Sequence, residues 1–131
     1  MADKIGRVLG VGGFFFRAKQ PDSIAAWYQD MLGVKITPKT YDEAPWRTEA
    51  GTTVFEPFDE STTYFGERDV GWMINFRVDD LDAVVDRLRK NKHEVVYEGG
   101  GEAFPNGRFA KLHDPEGNAI QLWEPGGKDP G

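Results

Sequence analysis

Two alternating runs near the C-terminus carry the sharpest pattern in the chain: residues 109–113 (FAKLH) and 118–123 (NAIQLW), separated by Asp114-Pro115-Glu116-Gly117. Alternation of apolar and polar positions predicts two strands, and the residues between them predict a hairpin with a four-residue connection. Pro115 presets the φ of the first central turn position, the Asp114 side chain can bond back to the backbone, and Gly117 supplies the positive φ of the return. In the second strand Ile120 and Leu122 share one face, expected to be core, while Gln121 and Trp123 share the other. That other face reads either as the wall of a site or as an ordinary polar outer surface.

A longer period governs two other stretches. Ile24, Trp27, Tyr28 and Met31 recur at helical spacing after Pro21, which suits a first helical position, and Gly33 ends the run as a C-cap. Leu81, Val84, Val85 and Leu88 form a second stripe, with Asp79 or Asp80 as its N-cap. A strand is expected before each helix, at 7–18 (RVLGVGGFFFRA), where Gly10, Gly12 and Gly13 thin it, and at 74–77 (INFR). Short strands joined by turns are expected at 34–37 and 52–58, and residues 59–69 read as a connection.

The strand patterns repeat. Phe14-Phe15-Phe16-Arg17 returns as Ile74-Asn75-Phe76-Arg77 at an offset of 60 (77 minus 17), and Val54-Phe55-Glu56-Pro57 returns as Leu122-Trp123-Glu124-Pro125 at an offset of 68. One α+β domain over residues 1–131 is therefore expected, built from two βαβββ modules in tandem at about 8–58 and 70–125. A module of this kind covers one sheet face with its helix and leaves the other open, so two must pair, within one chain or across a dimer, and enclose a cleft. A homodimer is the expected assembly. Alternation assigns Gly13, Phe15, Arg17, Thr53, Phe55, Met73, Asn75, Arg77, Gln121 and Trp123 to the cleft.

The segment DPEGNAIQLWEP, residues 114–125, strongly resembles the final hairpin of the vicinal oxygen chelate superfamily. That superfamily includes glyoxalase I, ring-cleaving dioxygenases, methylmalonyl-CoA epimerase, fosfomycin-modifying enzymes and the bleomycin-sequestering proteins. The resemblance implies the paired-module fold and its cleft, but a shared fold does not select a reaction. Superfamily enzymes usually hold a divalent metal with four side chains, one from each of four strands, drawn from His, Glu and Gln. Carried over residue by residue, those positions fall on Gly13, on Thr53 with Glu56 as an alternative, on Met73 and on Gln121. Glycine has no donor, and a thioether is too soft for metals that prefer oxygen and imidazole. The remaining ligands are too few for a catalytic ion. No cofactor is expected, with a divalent metal as the alternative.

Composition narrows the remaining classes. A net charge of -6 disfavours nucleic acid as a partner, because phosphate backbones are bound by clustered Lys and Arg. No apolar run approaches the ~20 residues of a membrane span, and the N-terminus shows no secretory pattern, so a cytoplasmic protein is expected. Zero cysteines exclude disulfides, thiolate zinc sites and cysteine nucleophiles. His93 and His113 read as structural or solvated, and the glycines at 99–101 read as a loop edging the cleft, since no helix pattern follows them. Ser23 and Ser61 have no histidine near them in sequence. Glu56 and Glu124, each before a proline, read as solvated carboxylates, yet they remain the only candidates for metal-free acid–base catalysis.

The function expected from these residues is a glyoxalase-like or bleomycin-resistance-like protein that binds a small aromatic organic molecule without a catalytic metal. Phe15, Phe55, Met73 and Trp123 offer flat or adaptable apolar surface, with Asn75 and Gln121 as polar contacts. Arg17 and Arg77 either meet a carboxylate or a carbonyl-rich edge of the ligand, or pair with acids at the rim. The alternatives are a metal-dependent lyase or dioxygenase of the same superfamily, and a protein-interaction domain.

Overall fold

Pro21 opens the first helix, α1 (Pro21–Leu32), and Gly33 closes it in the left-handed conformation at φ 69°, its N–H returning to Gln29 and Tyr28. The second helix, α2 (Leu81–Lys90), begins under Asp80, whose carboxylate accepts from the Ala83 N–H, and ends with Arg87, Arg89 and Lys90 in its last turn, where cations oppose the helix dipole. These boundaries agree with the sequence signals. The computed structural model describes residues 6, 7, 9–66 and 70–129. Part of the expected 7–18 strand and the end of the 59–69 connection lie outside the described residues.

Four strands form one sheet: β1 (Ile74–Arg77), β2 (Val96–Tyr97), β3 (Gly107–His113) and β4 (Ala119–Pro125), in the order β1-β4-β3-β2. β1 runs parallel to β4 and the other pairs are antiparallel. The β3–β4 hairpin turns as its residues predict: Asp114 accepts from the Glu116 and Asn118 N–H groups at 2.8 and 2.9 Å, and Gly117 takes φ 85°. Gly107 starts β3 at φ 130°, where an added Cβ would lie 2.2 Å from the Glu124 carbonyl oxygen. Only glycine tolerates that approach.

Both helices cover one face of the sheet. Ile120 and Leu122 from β4, Ala110 and Leu112 from β3, and Leu81, Val85 and Leu88 from α2 are all buried there, joined by Ile24 and Tyr28 of α1. The aromatic rings of Phe16, Tyr28 and Phe76 line up across this layer at 6.1 Å centroid spacings. None of the helices among the described residues is long and apolar enough to cross a membrane.

The α+β class is as the periodicity dictates, and residues 74–125 run β1-α2-β2-β3-β4, while among the described residues from 9 to 58 the one regular element is α1. Among the described residues, 9–18, 34–37 and 52–58 carry no ladder. Glycines at 10, 12 and 13 raise the entropic cost of an extended run, and among the described residues no neighbouring strand offers these segments a row of hydrogen bonds. Side-chain alternation survives without the ladder. Phe16 packs against the core and Phe14 lies edge-on to Trp72 at 4.8 Å, whereas Phe15 between them points away at 91% exposure.

Candidate functional site

The sheet face opposite the helices is built by register. Asn75 of β1 stands beside Gln121 of β4, Gln121 beside Lys111 of β3, and Lys111 beside Val96 of β2. Two residues further along, roughly 7 Å, a second row reads Arg77, Trp123 and Phe109. The first row is polar and the second aromatic and cationic.

In the polar row, Asn75 donates to Gln121 Oε1 at 2.7 Å, which turns the amide nitrogen of Gln121 towards the Tyr64 hydroxyl at 2.9 Å and Glu98 Oε1 at 3.2 Å. The Tyr64 hydroxyl donates to Glu98, and the Lys111 ammonium donates to the Tyr64 carbonyl while lying 3.8 Å from the centre of its ring. Phe58 stacks on the same ring at 5.8 Å. Burial, with the Glu98 carboxylate adding to it, holds the Tyr64 hydroxyl protonated well above its ordinary range. Burial pushes the Lys111 ammonium down, and the Glu98 charge partly opposes that. Gly66 lies so close over His113 that a Cβ there would come within 2.8 Å of Nε2, so the 58–66 segment crosses this face.

In the second row Phe109 and Trp123 lie parallel, 6.0 Å apart and 4° from coplanar. Trp123 is only 3% exposed and its indole N–H donates to the Asn106 carbonyl at 2.9 Å, so Phe109, half-buried, presents the accessible ring. Arg77 donates to the Glu49 carbonyl at 2.8 Å.

Of the residues that alternation assigns to the cleft, Asn75, Arg77, Gln121 and Trp123 are brought together, and Met73 immediately precedes their strand, half-buried. Phe15, Arg17, Thr53 and Phe55 are exposed on segments without a ladder, and no hydrogen bond or ring contact among the described residues joins them to this wall. Glu56 is exposed as well. Glu124 faces the helix side, where its Oε1 accepts from the Leu81 N–H at 2.9 Å and so supports the start of α2. Tyr64, Glu98, Lys111 and Phe109 were not among the assigned residues. Register alone identifies Lys111 and Phe109, because the four-residue turn sets them opposite Gln121 and Trp123. Tyr64 and Glu98 come from irregular segments with no periodicity to announce them.

The residues present do not fit a divalent ion at the four superfamily positions. Gly13 and Met73 offer no suitable donor, Thr53 and Glu56 are exposed on irregular backbone, and Gln121 is already engaged on both sides. Among the described residues no group of three or more His, Asp or Glu converges. A separate hollow of about 490 Å³ lies between α1 and the hairpin turn, lined by Ser23, Trp27, Asp30 and Glu116, and it shares no residue with the wall.

The chain belongs to the glyoxalase-like domain family, whose model matches residues 13–123, and so to the vicinal oxygen chelate superfamily. A glyoxalase family protein from Bacillus anthracis has the same fold, with 21% identity and a TM-score of 0.50 over 80% of this chain and 84% of that one. Lactoylglutathione lyase from Agrobacterium tumefaciens aligns at 22% identity over 82% and 87%, with a TM-score of 0.48. TnmS3, an antibiotic binding protein from Streptomyces sp. CB03234, is 38% identical over 40% of this chain and 41% of its own, with a TM-score of 0.36. The match thus spans about two fifths of that relative, and 42% of a glyoxalase/bleomycin resistance protein from the same strain. No curated protein sequence matches the chain.

Proposed function

We propose that the sheet face opposite the helices binds a small, planar aromatic organic molecule in the cytoplasm and does so without a catalytic metal, as a sequestering protein. The observation that carries this reading is the pairing of two rows on one sheet: amide and ammonium groups at Asn75, Gln121 and Lys111, and a second row in which Trp123 stands between Arg77 and Phe109. An apolar surface with a few convergent polar groups is what orients a small aromatic ligand. Arg77 supplies the means to prefer an acidic ring over a neutral one. Calorimetric titration of chelator-treated protein with 2-naphthoate tests it: saturable binding supports the reading, and its absence with every planar aromatic tried removes it.

The same reading includes a second copy of the chain. Phe15 and Phe55 stand 91% and 90% exposed, and Leu9 and Val54 are also solvent-facing, on segments whose backbone lacks a ladder. Large apolar side chains left this exposed are the kind of surface that a partner covers. A partner copy would give these segments strand neighbours and close the opposite wall of the cleft.

A further inference from the structure

We propose that the niche filled by Tyr64 is a phenol-binding subsite, with Tyr64 as its intramolecular occupant. The inference deepens the proposed function and rests on it. Tyr64 belongs to no strand or helix; it arrives on the 58–66 segment, with its ring stacked on Phe58 and the Lys111 ammonium 3.8 Å from the ring centre. Its hydroxyl is read twice, as a donor by Glu98 Oε1 and as an acceptor by Gln121 Nε2.

That donor–acceptor pair is held from behind. Asn75 fixes the Gln121 amide so that its nitrogen faces the niche, and Glu98 sits on a tight turn in which Gly99 and Gly100 take φ 60° and 67°. A ligand phenol can reproduce the ring contacts with Phe58 and Lys111 and both hydrogen bonds of the Tyr64 hydroxyl. An aryl ether cannot donate to Glu98, and an aryl carboxylate would meet the Glu98 charge directly. The subsite therefore selects a neutral hydroxyl on an aromatic ring. Displacing Tyr64 leaves the turns of its own segment intact, since Thr62 N–H to Asp59 and Gly66 N–H to Thr63 are internal to it.

The test uses 2-naphthol and 2-methoxynaphthalene, of nearly the same shape, titrated into the full-length protein by calorimetry and by NMR of the Gln121 side-chain amide. Tyr64→Ala is expected to tighten 2-naphthol at least about tenfold over wild type, to tighten the ether less, and to let 2-naphthol shift the Gln121 amide resonance. Adding Glu98→Ala to that variant is expected to bring 2-naphthol down to the affinity of the ether. Equal affinity of naphthol and ether for Tyr64→Ala, or no gain over wild type, would overturn the subsite. That failure is separable from failure of the aromatic-face reading, which 2-naphthoate at the Arg77 row reports independently.

Discussion

Tyr28, in the middle of α1, donates its hydroxyl to Oδ2 of Asp114 at 2.6 Å across 86 positions of sequence. Asp114 is 4% exposed, and its other contacts hold the β3–β4 turn, with Asn118 Nδ2 at 2.7 Å on the same oxygen. One buried carboxylate thus ties the first helix to the hairpin that carries Gln121 and Trp123. Tyr28→Phe removes a charge-assisted bond while keeping the ring, and is expected to cost roughly 1.5–3 kcal/mol in urea unfolding. A loss below about 0.5 kcal/mol would show that the turn holds itself.

Gly107→Ala is expected to destabilise by more than about 2 kcal/mol, because the new Cβ meets backbone at the Glu124 carbonyl and the residue sits at φ 130°. Chemical denaturation reads this directly. A change within about 0.5 kcal/mol would mean that the β3–β4 edge relaxes freely there.

Three tyrosines set the alkaline limit. Burial and a carboxylate partner raise the hydroxyls of Tyr28, Tyr64 and Tyr97 above the ordinary value of 10.0, so the folded protein keeps protons that the unfolded chain releases. Their contribution is complete below pH 10 and declines as pH rises through their folded-state values. Lys111, lowered by burial, has the opposite sign, relieving a penalty as pH approaches 10.5. Melting temperature is expected to fall above pH 10, and Tyr28→Phe, already less stable, to fall less steeply. An identical slope in wild type and variant would contradict the assignment.

At the acid end Asp82 accepts from both terminal nitrogens of Arg108, at 3.1 and 3.0 Å, and from the Tyr97 hydroxyl, and these bonds hold its carboxyl below 3.8. Its stabilising effect is present above that value and is lost as pH falls through the folded-state one. Asp82→Asn is expected to flatten the acid limb of the melting curve below about pH 4, and an unchanged limb would remove Asp82 from it.

Light scattering tests the assembly: a particle near twice 14.7 kDa is expected, and Phe15→Asp with Phe55→Asp is expected to give the monomer. A wild-type monomer at high concentration would leave those rings without the proposed cover.

How much of this was legible depended on where each signal lives. The DPEG turn, the Ile120 and Leu122 core face and the Leu81–Leu88 stripe are local patterns, and each is found where its residues predict. The Arg17–Arg77 correspondence rested on a repeat in composition, yet strand formation needs a neighbour, which composition does not supply, so Arg77 lies on β1 and Arg17 on irregular backbone. Before Pro125, Glu124 reads as a solvated strand-end carboxylate; its even position along β4 sends it to the helix side instead. Tyr64 and Glu98 are joined by a tertiary contact 34 positions apart that no sequence period encodes.

On the proposed function, the Asn75–Gln121–Lys111 face, with Arg77 and Phe109, binds planar aromatics without metal. Calorimetry of EDTA-treated protein with 2-naphthoate and 2-naphthamide, using wild type and Arg77→Ala, tests it most directly. Saturable metal-free binding is expected, with 2-naphthoate weakened about tenfold or more by Arg77→Ala and 2-naphthamide unaffected. Binding that vanishes with EDTA and returns with stoichiometric zinc or nickel would contradict it.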